Sequence, residues 1–230
     1  MFKVLDPKYF ALAVAWAAVL ILTGINAAKP FLQAYGIAPA LSWTVFLVQG
    51  LVTILFVTRA WRWVWKRCPP LNRWVYPDLN GEWDVVGETN WDRIDAILKA
   101  ANREIPRLNM RVADEHQLPP LGRTLMRARI TQTWLKITMV LWNPTAQGPI
   151  KESRTLTVEP FRGEDGRHGL VYVFEQENSS PVVSDDRLFY GAARVVQDRD
   201  DPNVLCGRMW TDRMWRRGMN TAADIRLTRR

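Results

Sequence analysis

Reactive and metal-binding side chains are scarce in this 230-residue sequence. Its two cysteines, Cys68 and Cys206, lie far apart without a Cys-x-x-Cys spacing, which argues against a disulfide framework. Its two histidines, His116 and His168, lie in predicted loops and are not at metal-ligand spacing. The sequence also lacks a Walker loop, a dinucleotide fingerprint and a Gly-x-Ser-x-Gly motif. We therefore expect no catalytic residue, no bound metal and no cofactor.

Two pairs of adjacent aspartates are the remaining candidates for hydrolytic catalysis. They occur at Asp185-Asp186 and at Asp200-Asp201, both in predicted turns. We interpret them as solvated turn residues, because charged side chains are typical of turns. A membrane-bound hydrolase that uses Asp185 or Asp186 stays open as an alternative.

Charge is almost absent from the N-terminal quarter of the chain. Residues Tyr9 to Thr58 contain one charged residue, Lys29, and they divide into two apolar stretches, Tyr9–Ala28 and Ala40–Thr58. Each is close to the roughly 20 residues that a helix needs to cross a bilayer. A signal peptide usually has a shorter apolar core, of about 7–15 residues. The sequence thus predicts a two-helix transmembrane hairpin over residues 1–58, with its turn at Lys29, Pro30, Gly36 and Pro39.

Basic residues predict the orientation of this hairpin. Lys3 and Lys8 precede the first stretch, and five bases follow the second: Arg59, Arg62, Lys66, Arg67 and Arg73. The positive-inside rule places both termini in the cytoplasm. Residues 59–76 also contain Trp61, Trp63, Trp65 and Trp74. Because indole rings favour the headgroup region, we interpret this segment as a juxtamembrane anchor, with specific lipid binding as the alternative.

One polar residue interrupts the second apolar stretch. A glutamine such as Gln49 is costly in lipid unless it finds a hydrogen-bond partner on another helix. The partner is either the first helix of the same hairpin or a helix of a second copy.

The rest of the chain is moderately basic. Residues 59–230 hold 28 bases and 22 acids, a net charge of +6, without a long basic run. This balance fits an anionic partner such as a membrane surface, a nucleotide or a nucleic acid.

Residues 77–230 have the pattern of an all-β domain. About eight short segments alternate between apolar and polar residues and are separated by turn signals, at Glu82–Gly87, Thr124–Thr133, Trp134–Trp142, Thr155–Phe161, Leu170–Gln176, Leu188–Gln197, Leu205–Thr211 and Asn220–Thr228. Residues 91–122 form a helical insertion, with Asn90 as the expected cap of its helix. The pattern favours an antiparallel sheet, closed into a barrel or folded into a sandwich. An eight-stranded barrel has room inside for one small ligand.

Aromatic and cationic residues lie close together on two of these strands. Gln132, Trp134 and Lys136 share one predicted strand face. Further along, Arg208, Trp210 and Asp212 alternate with Met209, Thr211 and Arg213. Aromatic faces stack nucleobases, and cations contact phosphates. The alternative is that Trp83, Trp134 and Trp210 fill the barrel.

An ordered set of short motifs carries a family resemblance. After the two apolar stretches, the motifs are Leu79-Asn80-Gly81-Glu82-Trp83, Ile130-Thr131-Gln132-Thr133-Trp134, Ser153, Leu170-Val171-Tyr172, Phe189-Tyr190-Gly191-Ala192-Ala193, the run from Leu205 to Arg213, and Gly218. This order resembles the SMODS-associating two-transmembrane β-barrel effectors of CBASS antiphage defence. The insertion at residues 91–122 is longer than the connection expected in that family.

The resemblance implies a function as well as a fold. It implies a lipocalin-like cytoplasmic barrel, anchored in the bacterial inner membrane, that binds a cyclic di- or oligonucleotide made by a CD-NTase. Binding then drives homo-oligomerisation, and the membrane helices disrupt the bilayer, causing growth arrest or cell death without a catalytic step. The ligand is a second messenger and not a nucleic acid polymer. The alternative is a non-toxic, membrane-tethered lipocalin-like carrier or scaffold.

Motif position gives the expected binding residues. They are Trp83, Gln132, Trp134, Lys136, Ser153, Tyr172, Trp210, Thr211 and Arg213. Trp134 or Trp210 would stack a base, and Lys136 and Arg213 would contact phosphate. The polar residues Gln132, Ser153 and Thr211 would bind base edges or ribose.

Overall fold

The computed structural model describes residues 4–36, 38, 40–145, 150–179 and 185–230. The chain divides into two compact units. The first comprises Met1–Asp78 together with the short segment Gln132–Lys136, and the second comprises Leu79–Thr131 and Ile137–Arg230. The first unit is helical, and the second is built mainly from β-strands.

Four helices form the first unit. They are α1 (Pro7–Ala34), α2 (Leu41–Val57), α3 (Ala60–Arg67) and α4 (Leu71–Trp74). The Asp6 side chain caps α1 by accepting a hydrogen bond from the Lys8 backbone N–H at 3.0 Å. The ring of Phe10, near the start of α1, contacts the ring of Phe56, near the end of α2, at a centroid distance of 5.4 Å. The two helices therefore run antiparallel.

The first helix extends beyond its predicted end. The predicted turn began at Lys29, but α1 continues through Lys29 and Pro30 to Ala34, so this boundary was wrong. A proline removes one backbone donor from a helix, and a long helix with many remaining hydrogen bonds tolerates that loss. The helix ends just before Gly36, whose φ of +74° suits a residue without a Cβ. Pro39 lies outside the described residues.

Membrane spanning is supported for one helix. Among the described residues, α1 is long and apolar enough to cross a bilayer, and it buries none of its side chains within the protein. A second span exists only if α2 and α3, which meet at 87°, are counted together. The predicted second span and the cytoplasmic position of both termini stay predictions.

The tryptophans of α3 lie on two faces of the helix, one buried and one exposed. Trp61 and Trp65, four residues apart, are buried on one face, whereas Trp63 is exposed. The Trp65 indole donates to the Tyr76 carbonyl at 2.8 Å, and Arg62 pairs with Asp78 at 2.7 Å. Two of these tryptophans are thus packing residues, which the sequence pattern did not distinguish.

The second unit contains the predicted β-barrel. In the described part of the chain, eight antiparallel strands close in sequence order, with β1 pairing to β8. The strands are β1 (Gly81–Thr89), β2 (Gly122–Gln132), β3 (Ile137–Trp142), β4 (Ile150–Arg162), β5 (His168–Asn178), β6 (Leu188–Gln197), β7 (Val204–Thr211) and β8 (Ala222–Arg229). The barrel alternative is confirmed over the sandwich. His168 begins β5 and is buried, so its predicted loop position was wrong.

The boundary between β2 and β3 differs from the prediction. The segment Thr133–Lys136 is a turn, in which the Thr133 backbone N–H donates to the Lys136 carbonyl at 2.8 Å. The prediction that Gln132, Trp134 and Lys136 share one strand face was therefore wrong. Leu135 in this turn continues the alternation of Ile137 and Met139, so the turn resembled part of a strand in the sequence.

Alternation along each strand separates the core from the outer face. On β5, Leu170, Tyr172 and Phe174 are buried, while Val171 and Val173 are exposed. Close approach of β6 and β7 requires a glycine at Gly207, because an added Cβ would lie 1.9 Å from the Arg194 carbonyl oxygen.

The predicted helical insertion is present. It contains α5 (Trp91–Ala101) and a short 3₁₀ helix (Glu115–Gln117). Asn90 precedes α5, but its side chain makes no capping bond. Its carboxamide oxygen instead accepts a hydrogen bond from the Ala222 backbone at 2.9 Å. Asn90 thereby joins the start of the insertion to β8 and is not the predicted side-chain cap.

Candidate binding site

The barrel unit contains an open cavity of about 680 Å³. This volume lies within the range of about 300–1,000 Å³ that is typical of small-molecule sites. Strand ends from both halves of the barrel and the first turn of α5 form its walls. The cavity therefore depends on the insertion as well as on the sheet.

The walls combine three kinds of side chain. Two aromatic residues, Trp91 and Phe189, face the cavity. Hydroxyl and amide groups are supplied by Thr89, Thr124, Asn143, Thr145, Gln176, Thr211 and Thr221. The charged lining residues are Asp92, Arg123 and Arg213. Such a surface suits a ligand with planar rings, many hydrogen-bonding groups and negative charge.

Arg213 lies between the two aromatic rings. Its guanidinium carbon is 4.7 Å from the Trp91 ring centroid and 5.8 Å from that of Phe189. These distances are in the range of cation–π interactions. Contact with both rings limits the movement of the guanidinium, so that the group is held in place before a ligand arrives.

A carboxylate neutralises this guanidinium. The Nε and Nη2 atoms of Arg213 donate to the two oxygens of Asp185, at 2.8 and 2.6 Å. The side chains are 14% and 4% exposed, respectively. Asp185 also accepts a hydrogen bond from Asn178, which in turn accepts one from Gln176 at 3.2 Å. The ion pair is therefore linked to the cavity wall through two amides.

The neighbouring carboxylate, Asp186, forms a hydrogen bond with the backbone. Asp186 accepts a hydrogen bond from the Met214 backbone N–H at 2.6 Å. Met214 has a φ of +52°, in the left-handed region. Asp185 and Asp186 thus hold the successive residues Arg213 and Met214, and the prediction that Asp185 is a solvated turn residue was wrong. These contacts favour a structural role for this pair over the hydrolytic alternative.

A hydroxyl pair lies beside the ion pair on the cavity wall. The side-chain oxygens of Thr211 and Thr221 are 2.7 Å apart, and both residues are buried. Each hydroxyl has a second lone pair that is able to accept a hydrogen bond. The two strands that meet here, β7 and β8, therefore present a fixed polar pair.

A second, smaller cavity of about 460 Å³ shares Phe189 with the first. Its lining includes three carboxylates, from Asp185, Asp186 and Asp212, besides Arg216 and Arg217. The first cavity holds one carboxylate and two arginines among its lining residues, so it is the better site for an anion. Among the described residues, no group of three or more histidine, cysteine, aspartate or glutamate side chains is arranged to hold a metal.

The structure brings two of the nine predicted binding residues into the main cavity. These are Thr211 and Arg213. Ser153 is buried on β4 and pairs in register with Gln176, which lines the cavity. Tyr172 is fully inside the barrel, where burial raises the pKa of its hydroxyl well above the usual range.

The other five predicted residues lie elsewhere. Trp83 is buried, and its indole donates to the Leu79 carbonyl at 3.1 Å. Gln132 donates to the Pro77 carbonyl at 3.1 Å within the first unit. Trp134, also in that unit, stacks on Phe56 at 5.1 Å and meets Trp65 edge-on at 5.6 Å. Lys136 is exposed in the turn, and Trp210 is 51% exposed on the outside of the barrel.

The contacts of Trp91 and Phe189 with Arg213 were not predicted from the sequence. The alternation along β6 did indicate that Phe189 faces the barrel interior, because Phe189 lies between the exposed residues Leu188 and Tyr190. Trp91 gave no comparable signal. It reaches the cavity because Asn90 joins the insertion to β8, and Trp91 follows directly.

The chain is similar over most of its length to a known protein. That protein is CD-NTase-associated protein 15 of Escherichia albertii, which is 26% identical over 200 residues. The alignment covers 86% of this chain and 86% of that protein. No protein-family model matches the chain.

Proposed function

We propose that this chain is a membrane-tethered effector of CBASS antiphage defence, in which the barrel binds a cyclic oligonucleotide made by a CD-NTase. The similarity to a CD-NTase-associated protein supports a functional link to a CD-NTase and a role in antiphage defence. The single observation that supports the ligand is the cavity of about 680 Å³ with Arg213 between Trp91 and Phe189.

The chemistry of the cavity fits the parts of such a ligand. A nucleobase stacks on an exposed aromatic face with a gain of about 1–3 kcal/mol. Trp91, which is half-buried, offers such a face at the cavity wall, whereas Phe189 is 3% exposed and adds apolar surface to the wall. The hydroxyls of Thr211 and Thr221 and the Gln176 amide bind ribose or base edges. Arg123 supplies positive charge for the phosphates, whereas Arg213 is already paired with Asp185.

Binding has to be converted into membrane damage. A ligand shifts an equilibrium between monomer and assembly only if it binds the assembled form more tightly. Gln49 is exposed on α2, and in lipid its amide would find a hydrogen-bond partner on the helix of another copy. In this proposal both termini are cytoplasmic, the anchor lies in the inner membrane, and clustered helices disrupt the bilayer without a chemical step.

A thermal-shift measurement tests the binding. The full chain in detergent is heated with cyclic di-AMP, cyclic di-GMP, cyclic GMP–AMP and cyclic tri-AMP, each in turn. A ligand at about 100 times its dissociation constant stabilises the folded state by about 2.7 kcal/mol. We expect one nucleotide to raise the melting temperature, and Trp91→Ala to abolish the increase. Trp215→Ala, an exposed tryptophan outside the main cavity, is the matched control.

Replacement of the anchor separates the effector from a tethered carrier. Residues 1–58 are exchanged for an unrelated two-helix anchor, and growth is followed in cells that express the chain together with a CD-NTase. An effector loses its toxicity while the thermal shift persists. Unchanged growth with the natural anchor, together with nucleotide binding, would instead establish the non-toxic carrier.

A further inference from the structure

The outside of the barrel has an apolar area on three neighbouring strands. On β5, β6 and β7, five large apolar side chains are exposed: Val171, Val173, Leu188, Tyr190 and Trp210. An antiparallel sheet that faces water normally carries polar residues on its outer side. The outer positions of β1 and β8 follow that rule, with Asp84, Glu88, Asp224 and Arg226. Leu125 on β2 and Leu156 on β4 are exposed as well, but the largest group of exposed apolar side chains lies on these three strands.

Strand register makes this area continuous. Val173 pairs with Ala192, and Ala192 pairs with Trp210, so these residues form one row across the three strands. Ala192 is small and leaves the faces of its two neighbours accessible. We call the surface made by Val171, Val173, Leu188, Tyr190, Ala192 and Trp210 the outer patch. Contiguous exposed apolar surfaces of this kind mark interaction sites.

Charges at the border of the outer patch have opposite signs at opposite corners. Glu175 lies two residues beyond Val173 on β5, in the row of Tyr190. Arg208 lies two residues before Trp210 on β7, in the row of Arg194. Its Nε donates to Asp224 on β8 at 2.8 Å, and the side chain is 71% exposed, so a second acid can still approach it. The acid and the base are thus diagonally opposed across Ala192. A two-fold axis in the plane of the patch, passing through Ala192 at right angles to the line between these corners, exchanges them, so that Glu175 of one copy meets Arg208 of the other.

We propose that two copies of this chain associate through their outer patches, with Trp210 as the main aromatic contact beside the central Ala192. Tryptophan and tyrosine are the residue types that contribute most to binding at interface centres. Self-complementary charge favours a second copy over an unrelated partner, because each copy supplies both signs. The proposed function supplies the trigger for this association, but the surface itself is independent of the nucleotide.

Disulfide crosslinking in membranes tests the interface. The full chain with Cys68→Ser and Cys206→Ser is reconstituted into lipid vesicles, and one cysteine is introduced at Ala192. Near a two-fold axis the two thiols come close together, so oxidation gives a covalent dimer. Glu88→Cys, an exposed outer position on β1, is the matched control for random collision. The four cyclic nucleotides used in the thermal-shift assay are added in parallel samples.

Charge reversal tests the diagonal pairing. Glu175→Arg alone and Arg208→Glu alone each place like charges together, and we expect each to lower the crosslinking yield at position 192. The double variant restores opposite charges and is expected to recover the yield. An interface that does not pair these corners would show no such recovery.

The outcomes distinguish the interface from the proposed function. Crosslinking at position 192 well above the Glu88→Cys control, with or without nucleotide, supports the interface even if no nucleotide raises the melting temperature. Equal yields at both positions, in every sample, overturn it, and a thermal shift would then still support the nucleotide sensor. Quenching of a fluorophore at position 192 by brominated lipid, with crosslinking no better than the control, would identify the patch as a lipid contact and also overturn the proposal.

Discussion

Replacement of Asp185 by asparagine should lower the melting temperature of the full chain by roughly 6–12 °C, since loss of about 3 kcal/mol shifts a domain of this size by about 2–4 °C per kcal/mol. Asparagine keeps the shape of the side chain but removes the charge that neutralises Arg213. The guanidinium is 14% exposed, so water can compensate for only a small part of that loss.

The magnitude follows from the geometry of the pair. Breaking a buried ion pair by removing one partner costs about 3–5 kcal/mol. Two features place this case near the lower end. Arg213 keeps its contacts with Trp91 and Phe189, and an asparagine oxygen can still accept one of its hydrogen bonds.

A second carboxylate provides a matched control. Asp165 pairs with Arg167 at 2.6 Å, the same distance as in the Asp185–Arg213 pair. The Asp165 side chain is 40% exposed, and exposed pairs contribute little because water solvates both charges. We expect no measurable change for Asp165→Asn, although the Arg167 side chain and backbone hydrogen bonds lower the pKa of this carboxyl group.

Thermal unfolding in detergent, followed by tryptophan fluorescence, measures both variants. A double-mutant cycle with Arg213→Gln isolates the interaction, and the double variant should be less destabilised than the sum of the two single variants. If Asp185→Asn lowers the melting temperature no more than Asp165→Asn does, the reasoning from burial fails.

Two further predictions concern the barrel. Gly207→Ala should destabilise it by at least about 2 kcal/mol, because overpacking forces backbone shifts where the new Cβ would lie 1.9 Å from the Arg194 oxygen. Gly87→Ala, with its nearest contact at 3.8 Å, should be tolerated in the same denaturation assay, and equal losses would contradict the steric argument. Burial raises the pKa of the Tyr172 hydroxyl, so this tyrosine ionises first in the unfolded chain. Its contribution to the free energy of unfolding is therefore complete below about pH 10 and falls as the pH rises above that value. The decrease is at most about 1.4 kcal/mol per pH unit. Melting temperatures between pH 9 and 12 should fall less steeply for Tyr172→Phe than for the wild type, and parallel curves would show that this tyrosine is not the cause.

Strands were predictable where alternation and turn signals agree. The predicted bounds of β6, Leu188–Gln197, coincide with the observed strand, because buried and exposed residues alternate between two polar loops. The boundary between β2 and β3 was missed because Trp134 and Leu135 are apolar residues of a turn. Trp134 is apolar there because it packs on Phe56, a contact that periodicity along the chain does not reveal.

The candidate site was partly predictable for the same reason. Parity along β7 placed Trp210 and Thr211 on opposite faces, and the structure shows which face is inside. Arg213 was expected to carry free positive charge for a phosphate. Its pairing with Asp185, 28 residues earlier in the sequence, becomes visible only when β6 and β7 lie side by side. Whether a ligand binds at these residues stays a prediction.

The sequence by itself determined the apolar N-terminal stretches, the number of strands and the presence of an insertion. These properties depend on local composition and on side-chain periods of two or about 3.6 residues, which neighbouring positions already contain. The tertiary structure decided which side chains meet. Pairing of β1 with β8 closes the sheet into a barrel, and the bond between Asn90 and Ala222 positions Trp91. The cavity is therefore a property of contacts between distant residues, because its walls exist only when those segments are brought together.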